Sequence, residues 1–388
     1  MEKNHKQMNL LMITRKIDKD DWLAGHSYEW AKNISEQLKT KNAKLKIICL
    51  EKGNTEGLDA EVYSLGKELG NSRWKRFWKF QRLAAKLVKE VDGVFAHQNP
   101  EYALWVSPWT FLYRKKLVSW YTHKAITWRS RLMLVVSDKV LTASEKSFRI
   151  RSPKVQITGH GIDVEKFTRP RLADNVAEGF HLPRGGLKAS VTSGIYGSSE
   201  DEEIRKFKIV SVGRISPVKD LETLILAVRN LVRERKVENV HLDIIGGVGL
   251  TEHKNYLQSL EQIVGKSQLE DYISFKGSVP HSRLPEIYQN ADLCVNLSQT
   301  GSLDKAVLEA MACECPIITS NEAFFEMLRS YEDLVVTQSN DSSSLSKKIS
   351  QIIELKKADK ETLTANLRNI VVTDHSLDKL AEKIVSAF

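Results

Sequence analysis

Phe207-Lys208-Ile209-Val210-Ser211-Val212-Gly213-Arg214-Ile215-Ser216-Pro217-Val218-Lys219-Asp220, with Leu221, Leu224, Ile225, Val228, Leu231 and Val232 behind it, decides the fold. The opening apolar run has strand length, and the later apolar positions recur at helical spacing. The unit is a strand, a basic loop and a helix. Gly213 lets the backbone turn closely, Arg214 offers a planar fork, Lys219 adds a point charge, Pro217 stiffens the loop and Asp220 is placed to cap the helix. A strand that turns directly into a helix N-terminus presents oriented N–H groups, so this loop is a candidate for holding a diphosphate. The plain alternative is a surface turn with solvated charges.

The same grammar extends in both directions. Toward the C-terminus, strands are expected at 240–245, 273–275, 293–297, 317–319 and 334–336, and toward the N-terminus at 10–14, 45–50, 93–96, 117–121, 139–143 and 155–158, with helical stretches between most of them. Alternating strands and helices imply parallel sheets covered on both faces. From Arg169 to Lys206 the pattern breaks at Pro170, Pro183, Gly185-Gly186 and Gly197, and closes on the acidic run Glu200-Asp201-Glu202-Glu203. This reads as a linker or mobile insertion. The expected fold is α/β, two doubly wound Rossmann-like domains facing each other across a cleft. Their bounds are 1–168 and 207–375, with a C-terminal helix in 376–388 packing back on the first domain. Ligands are expected beyond the carboxyl ends of the strands.

Composition narrows the class. A chain of 388 residues with 41% hydrophobic and 28% charged residues can build two cores and is neither disordered nor membrane-spanning in composition. No apolar run reaches the roughly 18 residues of a bilayer span, and no signal-type apolar region follows Met1, so a cytoplasmic protein is expected. Cys49, Cys294, Cys313 and Cys315 lie in or beside apolar runs and make neither a disulfide framework nor a zinc site. A formal charge of +9 favours an anionic partner without choosing among phosphate, lipid and nucleic acid. No nucleic-acid module accompanies the charge. Neither a metal-ligand cluster nor the carboxylate pair of a double-displacement glycosidase is visible, and no cofactor is expected.

A second glycine-bearing loop, Thr300-Gly301-Ser302-Leu303-Asp304, follows the strand at 293–297 and leads into a helix start at Ala306-Val307-Leu308-Glu309-Ala310-Met311. It brings another helix N-terminus toward the same sheet edge. Glu309 stands alone among apolar neighbours, so it needs a hydrogen-bond partner, and a ligand hydroxyl is the obvious one.

Taken in order, Val212-Gly213-Arg214 with Lys219-Asp220, Gly277-Ser278-Val279-Pro280, Ile287-Tyr288 with Ala291-Asp292, and Leu308-Glu309-Ala310-Met311-Ala312-Cys313 with Pro316 resemble the retaining glycosyltransferases of group 1, also called family 4, which have the GT-B fold. The resemblance implies a hexosyltransferase that moves a sugar from a nucleoside-diphosphate donor to a glycan or lipid-linked acceptor. Arg214 and Lys219 would meet the donor diphosphate and Glu309 the nucleotide ribose. Where many members carry a glutamate in a Glu-x-Phe-Gly pattern, this chain has Gly301. Asp304, or the backbone N–H groups of Gly301, Ser302 and Leu303, would then hold the donor sugar. The family's retaining chemistry is described as front-face attack, in which donor phosphate helps to deprotonate the acceptor. Other readings of the same residues are a nucleotide-sugar epimerase of this fold and a noncatalytic membrane- or partner-binding scaffold.

In the first domain, Gly25 precedes a helix and would let a phosphate or acceptor approach it, while His123 stands where the family commonly places a donor-sugar histidine. His97 and His160 also follow strands, the latter within Gly159-His160-Gly161-Ile162-Asp163, where backbone shape outweighs side-chain chemistry. Between Arg73 and Leu87 no acidic residue occurs. Arg73, Lys75, Arg76, Lys79 and Arg82 could meet lipid head groups while Trp74, Phe77, Trp78 and Leu83 dip toward the acyl boundary, and Trp105, Trp109 and residues 111–116 add a second contact. The expected location is peripheral, on the cytoplasmic face of the membrane.

Overall fold

A computed structural model describes residues 8–21, 25–169, 205–249 and 253–388. The linker or insertion expected at 169–206 falls on 170–204, outside the described residues. The first half runs β1 (Leu10–Ile17), α1 (Gly25–Lys39), β2 (Leu45–Lys52), β3 (Glu61–Ser64), α2 (Arg73–Glu90), β4 (Gly93–His97), α3 (Pro100–Leu112), β5 (Lys116–Trp120), α4 (Trp128–Val136), β6 (Lys139–Thr142) and β7 (Val155–Ile157). The second runs β8 (Phe207–Val212), α5 (Leu221–Arg233), β9 (Val240–Ile245), α6 (Lys254–Lys266), β10 (Ile273–Gly277), α7 (Leu284–Gln289), β11 (Leu293–Asn296), α8 (Lys305–Ala312) and β12 (Ile317–Thr319). Four helices follow: α9 (Glu332–Val335), α10 (Ser342–Glu354), α11 (Lys357–Asp374) and α12 (Leu377–Ser386).

Two parallel sheets result, one of seven strands in the order β3-β2-β1-β4-β5-β6-β7 and one of five in the order β10-β9-β8-β11-β12. In each, strand order reverses beside the first strand of the domain, between β1 and β4 and between β8 and β11. The connections leaving those strands diverge to opposite faces and open a crevice. Successive residues of β1 serve both faces: Leu10 and Met12 pack with Trp30 and Ile34 of α1, and Leu11 and Ile13 with Phe80 and Leu87 of α2. Of the α5 positions singled out by periodicity, Leu221, Leu224, Ile225, Val228, Leu231 and Val232 are all buried.

The C-terminal helices tie the domains together. α11 lies against α8, and α12 packs on α1. The crossing is fastened by Ile162 and His375–Leu377, where Ile162 N–H donates to His375 O at 2.7 Å and Leu377 N–H to Ile162 O at 2.8 Å. Gly159 and Gly161 have φ of +83° and +75°, and a Cβ on either would run into Asp374 O or the Leu380 side chain. Backbone shape is what this segment needs.

Three local readings change. Residues 334–336 form no ladder strand: Glu332–Val335 is one helical turn, and Val336 keeps a single bridge to Thr319. The strand at 61–64 escaped notice because it is a four-residue edge strand with half-exposed residues and therefore lacks an apolar run. Asp220 does not cap α5. It sits at φ +47°, its carboxylate accepts from Thr223 Oγ1 at 2.7 Å and from Asn340 N–H at 3.3 Å, and Leu221 N–H donates instead to Tyr256 Oη at 3.2 Å.

Candidate active site

The loop after β8 is held by its neighbour rather than by its own turn. Gly213 N–H donates to Ile245 O at 2.9 Å and Ile215 N–H to Gly247 O at 3.0 Å, so the loop is zipped to the segment leaving β9. Gly246 sits at φ +145°, and a Cβ there would penetrate the Gly213 carbonyl. Pro217–Lys219 then forms a 3-10 turn into α5. Arg214 is exposed, its side chain lies along Gly249, and it makes no hydrogen bond or ion pair with the described residues. Its guanidinium keeps all five donors available.

Lys219 differs from the free point charge that the sequence suggests. It is ion-paired with Asp304, which lies at the N-terminus of α8. Asp304 also accepts from Ala306 N–H at 3.3 Å and from Asn296 Nδ2 at 3.2 Å. Burial alone would raise this carboxyl, but Lys219 and the two other donors hold it below its usual range. Asp304 is thus both a helix cap and the counterion of Lys219, and one internal carboxylate occupies the ammonium and the helix end that an incoming anion would otherwise use.

Gly301 lies at φ +64°, in the left-handed region, with an added Cβ 2.6 Å from Glu322 Oε1. Glu322 is paired with Arg149 at 2.8 Å, and Lys124 Nζ donates to Gln299 O at 3.0 Å. Both contacts join the first domain to the second along this edge of the cleft. Ser302 presents its carbonyl to Asn321 Nδ2 at 2.9 Å, and Leu303 is buried beneath the loop.

Glu309 is 4% exposed and has the partners its burial demands. One carboxylate oxygen lies 2.9 Å from His281 Nε2, and Tyr288 Oη donates to the other at 3.5 Å. His281 occupies the turn after β10, beside Phe167 of the first domain, and its Nδ1 is buried without a partner among the described residues. Across the cleft, Gly25 opens α1 so closely to His281 that a Cβ would stand 3.2 Å from the histidine Cβ. The absence of a side chain there is what lets the domains approach.

These elements enclose a cavity of ≈160 Å³, lined among others by His26, Gly213, Arg214, His281, Lys305 and Glu309. Asp304 also borders it, whereas Gly25, Lys219, Gly301, Ser302 and Leu303 stand around it and not on its wall. His123 lies farther out, exposed at the end of β5, where its Nδ1 accepts from Ala125 N–H at 3.1 Å. His97 is fully buried among Trp30, Trp120 and Phe95 with its Nδ1 3.1 Å from Thr14 Oγ1, and burial pushes it down to about 3. His160 is buried against Trp120 and pushed down equally, to about 3. Both are core histidines.

His26, Gly246, His281 and Lys305 carry site geometry that the sequence reading missed. His281 directly follows the Gly277-Ser278-Val279-Pro280 stretch, and Lys305 directly follows Asp304, so position in the motifs was the available signal. Among the described residues, no three His, Cys, Asp or Glu side chains gather as metal ligands. The four cysteines are buried free thiols.

On the far side of the first domain, α2, α3 and α4 lie side by side. Trp74 and Trp78 are 75% and 63% exposed beside the exposed Arg73, Lys75, Lys79 and Arg82 and the half-buried Arg76. Phe111 and Leu112 at the end of α3 and Trp128, Leu132 and Val135 on α4 are exposed as well. Phe77 instead packs edge-on against Trp105, and Trp109 donates from Nε1 to Gln81 Oε1 at 2.8 Å. These aromatics stay with the domain because α2 and α3 close on each other there, so the exposed set is narrower on α2 than its sequence implies and wider on α4. No helix of the described residues is long and apolar enough to cross a membrane.

The comparisons with known proteins agree with this architecture. The family model "Glycosyl transferases group 1" matches residues 198–369. Mannosylfructose-phosphate synthase of Agrobacterium fabrum is 30% identical over 113 residues, 29% of this chain and 25% of that protein. D-inositol 3-phosphate glycosyltransferase of Kineococcus radiotolerans is 30% identical over 129 residues, 32% of this chain and 28% of that protein. The chain thus matches about a quarter of the length of these curated relatives. Among solved structures, Anabaena HepE in complex with UDP-glucose superimposes with a TM-score of 0.70 at 16% identity, covering 98% of this chain and 99% of that one. The likeness of fold spans both domains, and the match to the group 1 glycosyltransferase model covers the second of them.

Proposed function

We propose that the chain transfers a hexose from a nucleoside-diphosphate sugar to a glycan or lipid-linked acceptor with retention at the anomeric carbon. The observation that carries the reading is one cavity at the facing switch points of two parallel sheets, with the unpaired Arg214 guanidinium on its wall and buried Glu309 beside it. Arg214 grips diphosphate oxygens by bidentate, charge-assisted bonds, and Glu309 accepts from the ribose hydroxyls. His281 and Tyr288 hold the Glu309 carboxylate in position. Gly25 admits the substrate between the domains. The loop Gly301-Ser302-Leu303 and His123 face the donor sugar from either side once it is bound.

Chemistry then rests on positioning. The sugar is held with its leaving phosphate on Arg214, the acceptor hydroxyl approaches on the same face, and a phosphate oxygen takes its proton as the bond to phosphate breaks. A thermal-shift panel of UDP, GDP and ADP and their hexose conjugates tests the reading. One nucleoside diphosphate is expected to raise the melting temperature, by about 2.7 kcal/mol of added stability at one hundred times its Kd. Its sugar conjugate is expected to turn over. Release of a rearranged sugar without an acceptor would favour an epimerase, and no stabilisation by any nucleotide would favour a scaffold.

The acceptor side is proposed to face a membrane, on the cytoplasmic side, through the exposed Trp74, Trp78, Phe111, Leu112 and Trp128 with Arg73, Lys75, Lys79 and Arg82 around them. Each basic residue near an anionic leaflet contributes about 1 kcal/mol. The protein is expected to sediment with vesicles containing phosphatidylserine at low salt and to stay in the supernatant with neutral phosphatidylcholine. Replacing Arg73, Lys75, Lys79 and Arg82 by glutamine should lower the bound fraction at least tenfold. Equal sedimentation with both vesicles would sink the electrostatic part of the proposal.

A further inference from the structure

Lys305 is the first residue of α8 and follows the Asp304 cap directly. Its ammonium lies over the Trp30 ring of the first domain at 5.5 Å and borders the cavity that Arg214 also lines. It makes no hydrogen bond or ion pair with the described residues. Each nearby carboxylate is engaged elsewhere: Asp304 with Lys219, Asn296 and Ala306 N–H, Glu309 with His281 and Tyr288, and Glu29 with Lys166 at 2.8 Å. A cation at the start of a helix also opposes the helix dipole. A half-buried unpaired charge and an unfavourable helix position coincide on one residue. Sites that break local rules in this way are where a ligand completes the balance.

We infer that Lys305, not Lys219, is the second cation for the donor diphosphate, acting with Arg214 on the wall of the same cavity. Asp304 cancels the charge of Lys219 and caps α8, which leaves Lys305 and Arg214 as the unpaired cations of the cavity. The diphosphate oxygens supply the counterion that Lys305 lacks, and the Trp30 face holds the ammonium in place before the donor arrives. The inference rests on the nucleoside-diphosphate reading above.

The site also acquires a pH dependence. Burial lowers Lys305 to about 8, partly offset by Glu309 and Glu29. The other groups facing it are His26 of α1, His97 of β4, His160 after β7, His281 before α7, and Arg214. His26, His97 and His160 are held neutral, with burial as the main cause. The folded, unliganded protein carries the ammonium below pH 8 and loses it above. Diphosphate affinity is therefore full below about pH 8 and falls as pH rises through it.

Isothermal titration of UDP, GDP and ADP into wild type, Lys305→Met, Lys305→Arg and the double variant Lys219→Met with Asp304→Asn, which removes the cation and its counterion together, tests the inference at pH 7. The diphosphate that binds wild type should bind Lys305→Met about ten- to one-hundredfold more weakly, Lys305→Arg within a few-fold, and the double variant within a few-fold. Adding Asp304→Asn to Lys305→Met frees Lys219 while keeping a capping side chain, and should restore part of the loss. The wild-type affinity should drop between pH 8 and 9 while that of Lys305→Met stays flat. Thermal melting separates function from structure, because Lys305→Met removes an unpaired, half-buried charge and should melt no lower than wild type. Equal affinity of wild type and Lys305→Met overturns the inference and leaves the donor reading standing. Absence of binding by all three diphosphates to wild type overturns both.

Discussion

Arg214→Ala is expected to lower kcat/KM for the nucleotide sugar about 10²- to 10³-fold while leaving the melting temperature nearly unchanged. The split follows from geometry. Arg214 is exposed, its aliphatic stem lies along Gly249 and its guanidinium makes no hydrogen bond or ion pair with the described residues, so its removal leaves no buried partner behind. Surface changes of this kind stay within about 0.5 kcal/mol of stability. In the proposed reaction the guanidinium meets the charge that develops on the leaving diphosphate in the transition state, and loss of one such donor costs about 10² to 10³ in rate. Arg214→Lys should recover only part of the loss, because an ammonium cannot reproduce the fork. Steady-state kinetics with a melting curve decide the matter. A wild-type rate in Arg214→Ala would remove the diphosphate role altogether.

Gly246→Ala is expected to have the opposite signature, losing stability and activity together. Position 246 makes no substrate contact through a side chain, yet its φ of +145° and the Gly213 carbonyl immediately beside it exclude even a methyl group. Strain at such a backbone position is worth about 1–3 kcal/mol and overpacking a similar amount. Together these should lower the melting temperature by roughly 4–24 °C for a domain of this size. The clash can be relieved only by moving Gly213, and with it Arg214, since the two segments are bonded from Gly213 to Ile245 and from Ile215 to Gly247. A shift of about 1 Å at such a site costs about 10² in rate. Gly70→Ala is the control, also at positive φ (+72°) but with nothing within 4 Å of the added Cβ. It should lose about 1 kcal/mol and no activity. Matching behaviour of the two variants would refute the packing argument.

The two predictions mark how far the chain could be read before its structure was known. Repeated strand–helix alternation was legible because buried parallel strands are continuous apolar runs and their covering helices carry one apolar stripe, as β8 and α5 do. The loop at 213–219 was legible because glycine, arginine and lysine sit in local order between those two elements. Glu309 stood out as a lone carboxylate in an apolar helix. Edge features were not legible: Glu61–Ser64 has too little buried surface to leave a pattern, and Asp220 looked like a cap until Tyr256, 36 positions on, took the Leu221 N–H.

By itself the sequence determined the fold class, the order of the elements and the identity of the loops at the two switch points, because each of these depends on periodicity and turn chemistry within a few neighbouring residues. Only the tertiary structure decided which charges remain free. Lys219 and Asp304 are 85 positions apart and neutralise each other, His281 reaches Glu309 across 28 positions, and Lys305 meets Trp30 of the other domain. The physical reason is that the availability of a charge depends on its nearest counterion in space, and in this fold those counterions come from different strands, helices and domains.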